Sequence, residues 1–211
     1  MFDLPSLREI LISLPPFLFA LSFHEFAHAW AANRMGDPTA RNLGRLTINP
    51  IAHLDILGTI LLLLYGFGWA KPVPVNPLNF HNLRRGEFLV SIAGPASNLF
   101  LAVVGSIILS IIARVGNLVP QVLTEMLYLF VWVNVILAVF NMIPLPPLDG
   151  SHVVESILPT KYSTFFDKIS IYGPFILMAL LFTNIFSIVV APIASFICNL
   201  LAFICLSPFQ F

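Results

Sequence analysis

Apolar residues run in blocks long enough to cross a membrane, and short polar segments separate them. The blocks are Leu7 to Ala32, Phe88 to Ala113 and Leu118 to Ile143, with a last stretch, Ile169 to Phe209, long enough for two helices. Each exceeds the ~20 residues that span a ~30 Å hydrocarbon core. A shorter block, Ile56 to Trp69, does not comfortably reach across, and Gly58, Gly66 and Gly68 suit an irregular or re-entrant piece. In the last stretch, Thr183-Asn184 or Ala191-Pro192 marks the turn between two helices. One polar segment holds Gly44 to Ile51, where Leu46 and Ile48 alternate with Arg45, Thr47 and Asn49; that period predicts a strand. The pattern therefore predicts one all-α polytopic membrane domain over residues 1–211. It has about five to six transmembrane helices and a short re-entrant or β-hairpin segment after the first.

Composition agrees with lipid as the solvent. Hydrophobic residues make up 58% of the chain and charged residues 9%, against about 25% charged in a soluble domain. Net charge is zero, which leaves no basic face for nucleic acid. Met1 to Glu9 carries Asp3 and no basic run, so it does not read as a cleavable signal. Cys198 and Cys205 lie seven residues apart in one apolar run, too far for a bond within a straight helix, and read as small buried side chains. If Ile56 to Trp69 turns back without crossing, eight cations (Arg34, Arg41, Arg45, Lys71, Arg84, Arg85, Lys161, Lys168) share one side, and only Arg8 and Arg114 lie on the other. That bias makes the eight-cation side cytoplasmic. If the block crosses, the bias vanishes.

Chemistry enters with His24-Glu25-Phe26-Ala27-His28. Histidines at i and i+4 project from one helix face, so both imidazoles can reach one zinc ion at ~2.0–2.1 Å, with the intervening Glu placed to accept a proton from water. Three ionisable residues within one turn of an apolar helix are costly in lipid and argue for function. A catalytic zinc takes three protein ligands and keeps one open position. Asp149, in Asn141-Met-Ile-Pro-Leu-Pro-Pro-Leu-Asp149-Gly150, is the candidate third ligand, because the prolines there break the helix just past another span. Only the non-crossing arrangement of Ile56 to Trp69 puts the histidines and Asp149 on the same side.

Together these motifs resemble the site-2 protease family of intramembrane metalloproteases. The matching residues are His24 through Trp30, Gly94-Pro95-Ala96-Ser97-Asn98, and Asn141 through Gly150. The stretches Asn49-Pro50-Ile51-Ala52-His53-Leu54-Asp55 and Lys71 through Pro77 are similar to its compact prokaryotic branch, without an inserted PDZ-like domain. The resemblance implies one zinc ion per chain on His24, His28 and Asp149, with Glu25 as general base. It also implies that Asn98 and Asn141 handle the substrate backbone, and that the substrates are transmembrane proteins. It further implies a multi-pass protein of the cell (plasma) membrane, its active site toward the cytoplasm.

Other residues are weighed singly. His53 and Asp55 either orient a ligand or sit at the water interface. His152, three residues past Asp149, is a possible extra ligand. His81 reads as an exposed interfacial residue. Gly94-Pro95 reads as a kink or a point of tight packing. Gly44 to Ile51 offers an edge strand for an unwound substrate. The rival functions are a zinc-binding membrane scaffold that captures single-span partners, for which Glu25 would be dispensable, and a metal transporter. A transporter wants polar residues through several spans, and Ile169 to Phe209 has none that ionise near neutral pH.

Overall fold

The computed structural model describes residues 6–65, 68–115, 119–159, 162–181, 183 and 186–205. The first helix, α1 (Leu7–Met35), starts at a reciprocal cap in which the Ser6 side chain accepts from the Glu9 N–H and Glu9 accepts from the Ser6 N–H. It stops at Gly36, whose φ of 108° suits glycine. At 29 residues it is about 43 Å long, enough to cross and project into the far interface. Ala20, Ala27, Ala31 and Ala32 are buried along it. These small side chains let α5 (Leu83–Val115) and α6 (Gln121–Asn141) pack against α1. The core between α5, α6 and α9 (Ala191–Ile204) is built on Ala102, Leu109, Val131, Val135, Ala194 and Cys198. Cys198 is thus a buried apolar side chain, as expected, whereas Cys205 is only half-buried.

α1, α5 and α6 are long and apolar enough to cross a membrane, and Lys168–Leu180 and Ile188–Ile204 are shorter apolar helices. The last apolar stretch divides into α8 (Ser163–Leu181), a π-helical turn (Phe186–Val190) and α9, whose first turn carries Pro192. Thr183 falls between α8 and that turn; Asn184 lies outside the described residues.

Between α1 and α5 lie α2 (Thr39–Asn42), α3 (Pro50–His53) and α4 (Ile56–Tyr65). At ten residues α4 is about 15 Å long, half of what crossing requires. The chain then returns to its starting point. Leu54 and Ala70 form an antiparallel bridge, and the Lys71 N–H donates to the His53 carbonyl at 2.8 Å. The two ends of this segment therefore lie side by side. A Cβ on Gly58 would lie 2.3 Å from the Trp69 carbonyl oxygen, so that close return requires glycine.

The strand expected over Gly44 to Ile51 is not formed, and no strand exists among the described residues. The Arg45 side chain turns inward, where its guanidinium donates to the Lys71 carbonyl at 2.7 Å and meets His53 Nδ1 at 3.3 Å. His53 Nε2 takes the Thr47 carbonyl, and Asn49 caps α3 through the Ile51 N–H. Local contacts thus consume the backbone and side-chain groups that an edge strand would have offered. Alternation alone does not make a strand when the polar residue of the pair is buried.

Residues 71–77, which follow, are tied to the end of α1 by Asp37. Its buried carboxylate accepts from the Thr39 N–H and hydroxyl, the Asn76 N–H and the Asn79 side-chain amide. Burial pushes this carboxyl up, but those donors outweigh it and hold the group below its ordinary value of 3.8. Its contribution is therefore complete above pH ~4 and is lost as pH falls through the lowered folded-state value. Replacing Asp37 by Ala strands several donors, and we expect a loss of about 2 kcal/mol together with new protease sensitivity in residues 71–79. Limited proteolysis of the purified protein checks this; an unchanged cleavage pattern would show that Asp37 does not hold the loop.

Candidate metal centre

His24 and His28 lie two-thirds of the way along α1, buried against α5. The third residue arrives from α7 (Asp149–Ile157). Prolines 144, 146 and 147 keep the chain out of helix after α6, and it doubles back so closely that a Cβ on Gly150 would lie 2.3 Å from the Met142 carbonyl oxygen. That reversal delivers Asp149, in the first turn of α7, to the two histidines. The two Nε2 atoms are 3.0 Å apart, and Asp149 Oδ2 lies 3.2 Å from that of His24 and 3.4 Å from that of His28. Two ligands of a tetrahedral zinc at ~2.0–2.1 Å stand about 3.3 Å apart. Among the described residues this is the one group of three His, Cys, Asp or Glu side chains able to hold a metal ion.

The hydrogen bonds behind the ligands decide their protonation. His28 Nδ1 lies 2.8 Å from the Val90 carbonyl, which only accepts, so Nδ1 carries the hydrogen. His24 Nδ1 lies 2.6 Å from Asn98 Oδ1, again an acceptor. In their neutral forms both imidazoles therefore turn Nε2 lone pairs inward. Asp149 Oδ2 is buried beside them. Three such atoms within 3.4 Å repel one another unless a proton or a cation sits between them. The donor set fits a divalent metal of borderline softness. The opposite helix makes room: a Cβ on Gly94 would lie 2.3 Å from His28 Nε2 and 2.6 Å from His24 Cε1. Gly94-Pro95 is thus the point of tight packing expected of it.

Glu25 is buried beside this cluster, and its Oε2 accepts the Val73 N–H at 2.9 Å. Together with His24, His28 and Asp149 it lines a cavity of about 500 Å³, walled by Pro72, Val73, Val75 and Phe80 and edged by Glu87, His152 and Glu155. A second cavity, of about 610 Å³, lies at the far end of α1 and α6 between Arg8, Ile12, Tyr128 and Leu129, and has no ligating set.

The remaining candidates divide. Asn141 lines the first cavity, its amide nitrogen donating to the Leu137 carbonyl. Asn98, expected to touch substrate, is instead wholly buried behind His24. Its Nδ2 donates to the Ala20 carbonyl and to Asn134 Oδ1, so no polar atom is left for a substrate. His53 and Asp55 do not reach the ligands: His53 bonds Arg45 and Thr47, and Asp55 accepts the Gly58 N–H. His152 stands at the cavity edge, 3.8 Å from Glu155 and outside the ligand cluster. His81 is exposed, as expected. The residues overlooked in the sequence are Asn134 and Val73. A lone amide inside an apolar span was the available signal for Asn134; a backbone N–H such as that of Val73 leaves none.

Comparison with known proteins gives the family. The family described as Peptidase family M50 matches residues 104–181, which include Asp149 but not the histidine pair. The Bacillus subtilis protein named "Putative zinc metalloprotease YwhC" is 41% identical over 190 residues, covering 86% of this chain and 87% of its own. "Putative zinc metalloprotease Rip2" of Mycolicibacterium smegmatis is 31% identical over 79% of this chain and 64% of its own. "Putative zinc metalloprotease MJ0611" of Methanocaldococcus jannaschii is 30% identical over 71% and 72%. No solved structure gives a significant match.

Proposed function

The chain belongs to peptidase family M50, a metalloprotease family by the names of its relatives, and on that premise we propose that it cuts other proteins within or next to their transmembrane segments. The observation that carries this reading is the depth of the cluster. His24 lies about 26 Å along α1 from its outer start and about 16 Å from its Met35 end, so the three acceptors and Glu25 sit within the apolar length of a spanning helix. The eight-to-two division of Lys and Arg supports a cytoplasmic face for the cavity and a place in the plasma membrane.

His24, His28 and Asp149 would hold one zinc ion per chain, which would supply a Lewis acid and acidify water toward neutrality. Glu25, its carboxylate steadied by the Val73 N–H, is placed to accept a proton from water and return it to the leaving amine. A helical substrate hides its peptide bonds and must unwind before attack. Pro72, Val73 and Val75 border the cavity, so the unwound stretch lies along them and not along Gly44 to Ile51. Pro72 and Pro74 have no N–H and the Val73 N–H is spent on Glu25, so this stretch presents mainly carbonyls to the substrate's freed N–H groups. Asn141 offers a further polar contact on the opposite wall.

The test uses the purified protein in liposomes with single-span substrates carrying one scissile sequence either in the membrane or in a water-exposed linker. We expect cleavage of the membrane-resident version alone, abolished by a zinc chelator and restored by zinc. Equal cleavage of both versions would make the protein a general endopeptidase and remove the intramembrane part of the reading.

A further inference from the structure

Behind the metal centre, on the side away from the cavity, two asparagines lie among otherwise apolar helix faces. Asn98 of α5 and Asn134 of α6 are both fully buried. Polar side chains at this depth are expensive and need partners, and here each partner dictates the next. The Asn134 Nδ2 donates to the Phe130 carbonyl at 2.8 Å, one turn back on its own helix. A carbonyl only accepts, so this bond fixes which way the Asn134 amide faces and turns its Oδ1 toward Asn98. That oxygen receives the Asn98 Nδ2 at 2.8 Å, and the Ala20 carbonyl of α1 receives the same nitrogen at 3.1 Å. With both hydrogens of Asn98 committed, its Oδ1 is left facing His24 Nδ1 at 2.6 Å.

We propose that Asn134 and Asn98 are positioning residues that hold His24 with its hydrogen on Nδ1 and its Nε2 lone pair on the metal centre. The inference rests on His24 being a metal ligand and deepens that reading. The chain of bonds starts from the carbonyls of Phe130 and Ala20, which cannot reverse, so the order of donors and acceptors runs one way into the imidazole. It also joins α1, α5 and α6 at one depth, the depth at which Asp149 must meet the histidines. The arrangement accounts for two amides that helix packing alone does not require. If Asn98 flipped, it would set an NH₂ against the Nδ1 hydrogen and two carbonyl-type oxygens against its own oxygen. The imidazole would then be driven toward the other tautomer, with a hydrogen where the metal binds.

The relay predicts metal affinity as well as rate. Loss of such supporting contacts commonly costs 10–100-fold in metal affinity. We expect Asn98→Leu to weaken cobalt or zinc binding by that amount and Asn134→Leu by about tenfold. Asn98→Asp, which retains an oxygen acceptor on His24 but sets its second oxygen against the Ala20 carbonyl and Asn134 Oδ1, should bind more tightly than Asn98→Leu. The probe is Co²⁺, titrated against a chelator into the metal-stripped protein in detergent, with its visible absorption reporting ligand geometry and thermal unfolding of the metal-free forms reporting the fold. Weakened binding in both leucine variants, with Asn98→Asp tighter than Asn98→Leu, supports the relay. Wild-type affinity in both leucine variants overturns it, as does equal weakening in Asn98→Leu and Asn98→Asp, which would reduce Asn98 to a packing residue. Failure of the wild type to take up cobalt overturns the metal centre itself, a result separate from either of these.

Discussion

Replacing Glu25 by Gln should lower cleavage by about 10²–10⁴-fold while leaving the metal in place. The magnitude is that of a lost general base. The metal should stay because the three inward-facing acceptors belong to His24, His28 and Asp149, and Glu25 is not among them. The architecture should stay because the Gln amide oxygen can still accept the Val73 N–H that Glu25 Oε2 receives. Only the capacity to take up a proton is removed. Metal content measured beside single-turnover cleavage checks both halves of the expectation. The same variant separates a peptidase from a zinc-binding scaffold, in which Glu25 has no task. A Glu25→Gln protein that cuts at the wild-type rate would end the assignment, and one that loses its metal would mean that Glu25 is a ligand.

The parts of this site legible in the sequence are those written in side chains at short spacing. His24, Glu25 and His28 share one helical turn, and no tertiary knowledge is needed to see that they converge. Asp149 was legible through its prolines, which announce that the helix stops, and through the charge bias, which puts that stop on the same side as the histidines. The return of the chain after Ile56 to Trp69 was suggested by the same bias, and Leu54 and Ala70 do lie side by side in an antiparallel bridge. What the sequence did not disclose depends on where backbone groups go. The alternation from Arg45 to Asn49 reads as a strand until one sees the Arg45 guanidinium on the Lys71 carbonyl. Val73 has no side-chain chemistry, yet its N–H is the hydrogen bond on Glu25. Asn98 was recognised as a site residue but given the wrong neighbour. An amide on a spanning helix can turn toward a substrate or toward the next helix, and only the position of Asn134 decides which.

Replacing Gly94 by Ala should weaken metal binding severely while the helices survive. Alanine is a better helix former than glycine by about 1 kcal/mol, so α5 loses nothing locally. The conflict lies across the interface, where the new methyl would stand 2.3 Å from His28 Nε2, 2.6 Å from His24 Cε1 and 2.7 Å from His24 Nε2. Neither ring can tilt aside cheaply. His28 is bonded through Nδ1 to Val90, on the same helix as Gly94, and His24 to Asn98 one turn further along it. If instead α5 retreats as a body, it carries Val90 and Asn98 away from the rings they orient. Either response moves an Nε2 out of the 3.0–3.4 Å triangle with Asp149 Oδ2, and ligand geometry tolerates only a few tenths of an ångström. We expect metal affinity to fall by about 10²-fold or more and cleavage to fall with it, while far-ultraviolet circular dichroism stays at the wild-type value. Gly105→Ala is the matched control: the same substitution on the same helix, its Cβ 2.8 Å from a Val131 methyl and away from the ligands. It should lower stability through crowding and leave metal affinity unchanged. Normal metal binding in Gly94→Ala would mean that α1 and α5 stand further apart than this geometry requires, and that the closeness of the two helices is not what sets the metal centre.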